Sequence, residues 1–253
     1  RTIEIFILAI LQGITECLPI SSSSHLILIS KYFSFNNQNL YIDVSCHIGS
    51  FFAVLIYFRN DIFDFFNNKI LFTKILASSL PVIIIGFFLV KTGLIDKIRN
   101  IETIAWTTII FGILLYFSDK FKIKKNLNNN FTFKSAIFIG LFQVLSLVPG
   151  VSRSGVAITA ARFLNYNRVD SAKISFLLSI PILGAVSFFG LKNIFTTNDI
   201  FFTQANITTI LLSFVFSLIS IKFFLNYLKK FNLNIFVYYR ILLGLILLFI
   251  TYL

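Results

Sequence analysis

Long apolar runs leave this chain no soluble fold. A helix needs about 20 apolar residues to cross the hydrocarbon core of a bilayer, and such runs recur at 44–58, 70–92, 101–117, 172–190, 206–228 and 235–253. The first is short for a full crossing. Composition points the same way: 57% of the 253 residues are hydrophobic and only 13% charged, where soluble domains carry about 25% charged residues. A water-soluble enzyme, a nucleic-acid binder and a disordered tail are all excluded. The sequence specifies an all-α polytopic membrane protein, a single membrane domain over 1–253. Its net charge of +12 is then assigned to loops facing anionic headgroups. Membrane lipids, not nucleic acid, are the expected surroundings. Cys17 and Cys46 lie in apolar runs and indicate neither a disulfide framework nor a zinc site. No cleavable-signal pattern opens the chain, and with no Met present an initiator residue is expected upstream of Arg1.

Two further apolar stretches, 3–33 and 135–165, are interrupted. The first is broken by Glu16-Cys17-Leu18-Pro19-Ile20-Ser21-Ser22-Ser23-Ser24-His25, the second by Val148-Pro149-Gly150-Val151-Ser152-Arg153-Ser154-Gly155. Backbone freed at membrane depth is tolerated only where protein or a wet cavity satisfies it, so both stretches read as re-entrant hairpins. A shift of 131 lays Gln12 on Gln143, Ser21 on Ser152, Ser23 on Ser154 and Ile27 on Ile158, and carries the three later spans of one half onto those of the other. The chain therefore reads as a duplication: repeat 1 over about 1–117, a Lys-rich linker over 118–134, repeat 2 over about 135–253. One hairpin and three crossings per half invert the second repeat relative to the first. The linker, with Lys120, Lys122, Lys124, Lys125 and Lys134, is assigned to the cytoplasm by the positive-inside rule. Segments 59–69, 162–173 and 229–230 join it there. Loop 91–100, with Lys91, Lys97 and Arg99, falls outside and fits badly.

The two breaks carry the chemistry. Gln12 and Glu16, four apart, share a helix face, and a carboxylate at bilayer depth normally faces a bundle interior or a wet cavity. They read as oxygen ligands for a divalent cation, Mg²⁺ or Ca²⁺; a structural pairing of Glu16 with a buried Arg or hydroxyl is the alternative. Ser21 to Ser24 with His25 place a nucleophile type beside a titratable base. His47 opens a plain apolar helix and reads as a hydrogen-bonded core histidine. Gly150, Ser152, Arg153 and Ser154 precede a new helical run, where free amides, hydroxyls and a planar cation make an anion cradle. An acid of the metal-binding type, a Ser/His pair and an Arg/Ser cradle suit phosphoryl transfer on a substrate that lives in the membrane.

These residues resemble a known family. Gln12 to His25 is similar to the (E/Q)xxxE and LPxSSxxH elements of bacterial undecaprenyl-diphosphatases, the BacA/UppP family. Pro149 to Ser154 resembles its PGxSRSxxT element, and Leu177-Leu178-Ser179-Ile180-Pro181 its following helix. The resemblance covers essentially the whole chain. It implies a multi-pass inner-membrane enzyme that hydrolyses a polyprenyl diphosphate lipid, undecaprenyl diphosphate, to the monophosphate at the outer, periplasmic face. That reaction recycles the lipid carrier of peptidoglycan synthesis and confers tolerance to bacitracin. Carried over by position, Gln12 and Glu16 are the metal-associated pair, Ser22 and His25 the catalytic serine and histidine, and Ser152, Arg153 and Ser154 the diphosphate-binding loop. Ala157 stands where the signature ends in Thr, and Thr159 lies two residues on. Ser24 stands where the family often has Gly.

The expected catalytic set is Glu16, Ser22, His25 and Arg153, with Gln12, Ser21, Gly150, Ser152, Ser154 and Thr159 binding substrate. Ser22 with His25 as base, or His25 itself, is the nucleophile; the residues leave both open. Preferred metal, chain length and a homodimer stay open too. The rival reading is a secondary transporter or lipid flippase, whose inverted repeats would bind the same anion without chemistry.

Overall fold

The computed structural model describes residues 2–32, 40–67, 69–93, 98–196 and 200–252. They are built from helices: α1 (Thr2–Cys17), α2 (Ser22–Tyr32), α3 (Leu40–Tyr57), α4 (Arg59–Asn67), α5 (Lys69–Lys91), α6 (Ile101–Asp119), α7 (Leu127–Asn130), α8 (Phe133–Val144), α9 (Arg153–Phe163), α10 (Arg168–Thr196), α11 (Ile200–Leu228) and α12 (Asn234–Tyr252). Five of these, α5, α6, α10, α11 and α12, contain stretches long and apolar enough to cross a bilayer. The protein is a multi-pass membrane protein. The apolar part of α3, Ile42–Tyr57, is short, as its run in the sequence requires.

Both interrupted stretches break where the sequence places Pro and Ser. α1 ends at Cys17 and α2 begins at Ser22; α8 ends at Val144, a 3₁₀ turn covers Leu145–Leu147, and α9 begins at Arg153. Every residue of α9 from Ser154 to Arg162 is buried. Its run of small side chains, Ala157, Ala160 and Ala161, lets spans close on it from all sides. That puts the second break at the centre of the molecule, against α6, α8 and α10.

Hydrophobic burial drives helices together weakly in lipid, so close backbone packing and interhelical hydrogen bonds do that work. Between α3 and α11 the hydroxyl of Ser50 meets those of Ser213 (3.2 Å) and Ser217 (2.9 Å), and Ser45 donates to Asn206 Oδ1 at 2.9 Å. Between α5 and α8, Gly140 lies directly on the Ser78 backbone: a Cβ there would fall 2.2 Å from Ser78 O.

One end of the bundle is tied by charge. Asp119 accepts from Arg168 Nε (2.7 Å) and Nη2 (3.0 Å) and from the Leu233 amide (3.2 Å). Buried Arg162 donates to the carbonyls of Tyr166, Asp119 and Phe121, and Asp61 pairs with Lys173 at 2.5 Å. Asp61, Asp119, Arg162, Arg168, Lys173 and the Leu233 amide thereby tie several helix ends together on one face.

Candidate active site

The first break turns on Ser21, whose φ of 70° is left-handed; the second turns on Ser152, whose φ is also 70°. Left-handed backbone disfavours a residue with a Cβ, and each serine offsets the strain through its hydroxyl. Ser152 Oγ caps α9 by accepting from the Gly155 amide at 3.1 Å, and Ser21 Oγ pairs with Ser24 Oγ at 2.8 Å. Gly150 is required between them. Its φ is 93°, and a Cβ would lie 2.0 Å from Thr107 Oγ1. The breaks also bond each other, since Ser154 Oγ donates to Leu18 O at 2.7 Å.

Glu16 is the meeting point. Its Oε2 accepts from Ser22 Oγ at 2.6 Å and from Gln12 Nε2 at 2.8 Å, and its Oε1 pairs with Arg153 Nη2 across 137 positions of chain. His47 Nδ1 lies 3.1 Å from Gln12 Nε2 and 3.7 Å from Glu16 Oε2. Two buried polar atoms in this group lack a partner, Gln12 Oε1 and Arg153 Nη1. A cavity of about 210 Å³ lies beside this group, lined by Glu16, Ser21, Ser22, His47, Ser152, Arg153 and Ser154. Val82, Ile182, Leu183 and Val186 form an apolar wall beside it. Pro81 and Pro181 stand inside α5 and α10 one residue before that wall.

The structure thus brings together Gln12, Glu16, Ser21, Ser22, Ser152, Arg153 and Ser154. Glu16 is paired with an arginine, as the structural reading expects, and that arginine is Arg153 of the second break. Gly150 shapes the loop from behind. Thr159 is turned into its own helix, donating to Gly155 O at 2.8 Å, and does not line the cavity. The expected Ser22–His25 pair is not formed. His25 Nδ1 lies 2.6 Å from Ser21 O and its Nε2 lies 2.5 Å from Tyr239 Oη, with the two rings stacked. Both ring nitrogens are engaged, while the Ser22 proton goes to Glu16. His47 corrects the sequence reading in the opposite sense. Its side chain is 29% exposed and lines the cavity instead of sitting in the core. Its partner Gln12 lies 35 positions away, so no local pattern marks it.

Residues 5–246 match the family described as bacitracin resistance protein BacA. The chain belongs to the BacA family. It is 48% identical to an undecaprenyl-diphosphatase of Pelagibacter ubique, over 99% of this chain and 98% of that one. It is 38% identical to an undecaprenyl-diphosphatase of a Jannaschia species and 39% identical to one of Campylobacter curvus, each over 98% of both chains. The relatives match end to end, so the whole membrane domain, and not the two breaks alone, is what BacA members share.

Proposed function

We propose that this BacA member hydrolyses undecaprenyl diphosphate to undecaprenyl phosphate and inorganic phosphate. It thereby recycles the lipid carrier of peptidoglycan synthesis and supports bacitracin tolerance. One observation carries the reading: a hydroxyl from one helix break and a guanidinium from the other converge on one acid, Glu16, beside a single cavity, and the guanidinium keeps an Nη1 without a hydrogen-bond partner. A phosphate oxygen is the partner such a fork fits.

The chain's own residues supply the steps. Ser22 Oγ attacks the terminal phosphorus while its proton passes to Glu16 Oε2, 2.6 Å away. The bridging P–O bond breaks and the prenyl monophosphate leaves with the electron pair. Arg153, Ser152 and Ser154 hold the phosphoryl oxygens as charge develops on them. Water then cleaves the phosphoserine, releasing phosphate and restoring the Ser22 proton. Ser22 is favoured over His25 as nucleophile because its proton already has an acceptor, whereas both His25 nitrogens are held elsewhere.

A divalent cation, Mg²⁺ or Ca²⁺, fits the donors present. Gln12 Oε1 is buried without a partner beside Glu16 and Ser22, and all three are hard oxygen ligands. Gln12 and Glu16 would hold the ion; when bound it supplies positive charge against the diphosphate.

The inverted repeat and re-entrant hairpins belong to the same proposal. Ser21 and Ser152, matched by the shift of 131, share φ 70°. Helix α1 packs on α11 of the other half, and its counterpart α8 packs on α5. With the Lys-rich end in the cytoplasm of a bacterial inner membrane, the wall residues Ile182 to Val186 lie roughly 21–27 Å along α10 from Arg168 at 1.5 Å per residue. That is beyond the middle of a hydrocarbon core about 30 Å thick, which supports a cavity opening toward the periplasmic face.

The test is phosphate release from a prenyl diphosphate by purified protein in detergent, with Mg²⁺ and with EDTA, beside Arg153→Ala and Glu16→Ala. EDTA-sensitive release that is absent from both variants is expected. No release from folded wild-type protein would overturn the proposal, because a transporter or flippase performs no chemistry in a micelle.

A further inference from the structure

Arg240 lies in the first half of α12 and is fully buried. It donates from Nε to Thr108 O (3.2 Å), from Nη1 to Pro19 O (3.1 Å), and from Nη2 to Gly150 O (2.9 Å) and Val151 O (3.1 Å). Four of its five N–H groups are thus spent on backbone carbonyls, two of them in the second break and one in the first. Among the described residues no carboxylate forms an ion pair with it. A guanidinium at membrane depth without a counter-ion is costly. Its space is also cleared by small residues: a Cβ on Gly155 would fall 2.9 Å from Nη1, and one on Gly112 would fall 3.1 Å from Arg240 Cβ.

We propose that Arg240 is a positioning residue for the phosphoryl-transfer site, clamping the two helix breaks in register and aiming the Ser152 amide at the transferred phosphoryl group. In a planar trans peptide the N–H points opposite to the C=O. Because Nη2 holds the Val151 carbonyl, the amide of Ser152 is turned away from Arg240, toward the cavity that Ser152 lines. The same bond fixes the left-handed turn at Ser152, and so the direction in which Arg153 leaves the loop. Nη1 on Pro19 O holds the first break, carrying Ser21 and Ser22, against the second. The unpaired charge sits behind the loop and draws the negative ends of the peptide dipoles to itself. The positive ends are left for the anion.

This inference rests on the hydrolase reading above, and the experiment separates the two. Arg240→Lys keeps the charge but offers one ammonium in place of a planar fork, so it cannot hold three segments at once. Removing one preorganised donor costs about 10²–10³ in kcat, and Arg240→Lys leaves the Ser152 amide present but less well aimed, so its cost is smaller. Steady-state kinetics of Arg240→Lys on a prenyl diphosphate, normalised to folded protein by Trp106 fluorescence and gel filtration, are expected to show kcat reduced about 10- to 100-fold and KM within about twofold. Arg240→Met, which lacks the charge as well, falls further. A merely structural role would lower the folded fraction and leave kcat per folded molecule unchanged. That outcome, or an Arg240→Lys variant with wild-type kcat, overturns the proposal. If Arg153→Ala turns over normally in the same assay, the hydrolase site itself is wrong. If Arg153→Ala is inactive and Arg240→Lys is normal, only the positioning role falls.

Discussion

The Glu16–Arg153 pair offers a thermodynamic test independent of turnover. The side chains are 7% and 17% exposed, so removing one partner strands the other in a poorly solvated place. Breaking a buried pair this way typically costs about 3–5 kcal/mol. The two losses should differ. After Arg153→Met, Glu16 keeps the hydrogen bonds from Ser22 and Gln12, which partly solvate the carboxylate, so the loss falls near the lower end, about 3 kcal/mol. After Glu16→Met, Arg153 loses its carboxylate while Nη1 has no partner to compensate, so the loss approaches about 5 kcal/mol. The double variant removes both charges and leaves neither stranded, so its loss should be about 3 kcal/mol smaller than the sum of the singles. The assay is denaturant unfolding in detergent micelles followed by Trp106 fluorescence, with all four proteins at one detergent concentration. Additivity within about 0.5 kcal/mol would show the pair to be energetically uncoupled and would refute the reasoning. All three variants are expected to lack activity, so the stability cycle and the kinetics report different things.

Ser22→Ala should remove turnover by 10³-fold or more, about the scale of losing an attacking group, while His25→Gln, which acts from the Tyr239 side, should retain measurable kcat; the reverse order in a phosphate-release assay would return the nucleophile to His25. Asp119→Asn should lower the melting temperature, because Arg162 and Arg168 lose their shared carboxylate at about 3–5 kcal/mol, yet kcat per folded molecule should stay within about twofold because that cluster is remote from the cavity. Gly140→Leu should destabilise by more than the roughly 1–3 kcal/mol of ordinary overpacking, since its Cβ meets the Ser78 backbone and not a movable side chain. Wild-type melting at that site returns the contact to question.

The breaks were legible because proline and clustered serine punctuate an apolar run whatever surrounds them, and Glu16 and Arg153 because charge inside such a run demands a reason. Their direct contact was within reach of that logic. The Ser22–His25 pairing failed because three positions along one helix measure a shared face, not where a hydroxyl turns. Glu16, on the helix before, lay closer. His47 was hidden because its partner, Gln12, is brought to it only by the packing of α1 on α3. Arg240 was visible as the one charge in the run 235–253, but its acceptors are backbone carbonyls, and no residue type announces those.

The position of Arg240 also orders events during synthesis. Its acceptors belong to residues 19, 108, 150 and 151, all of which leave the ribosome long before the helix that carries the donor. Until that helix is inserted, the carbonyls of Pro19 and Val151 lack the donor they have in the finished fold. A chain arrested before Asn234 would hold Glu16, Ser22 and Arg153 and still have no fixed anion loop. Full activity is therefore expected only once the last helix is in place.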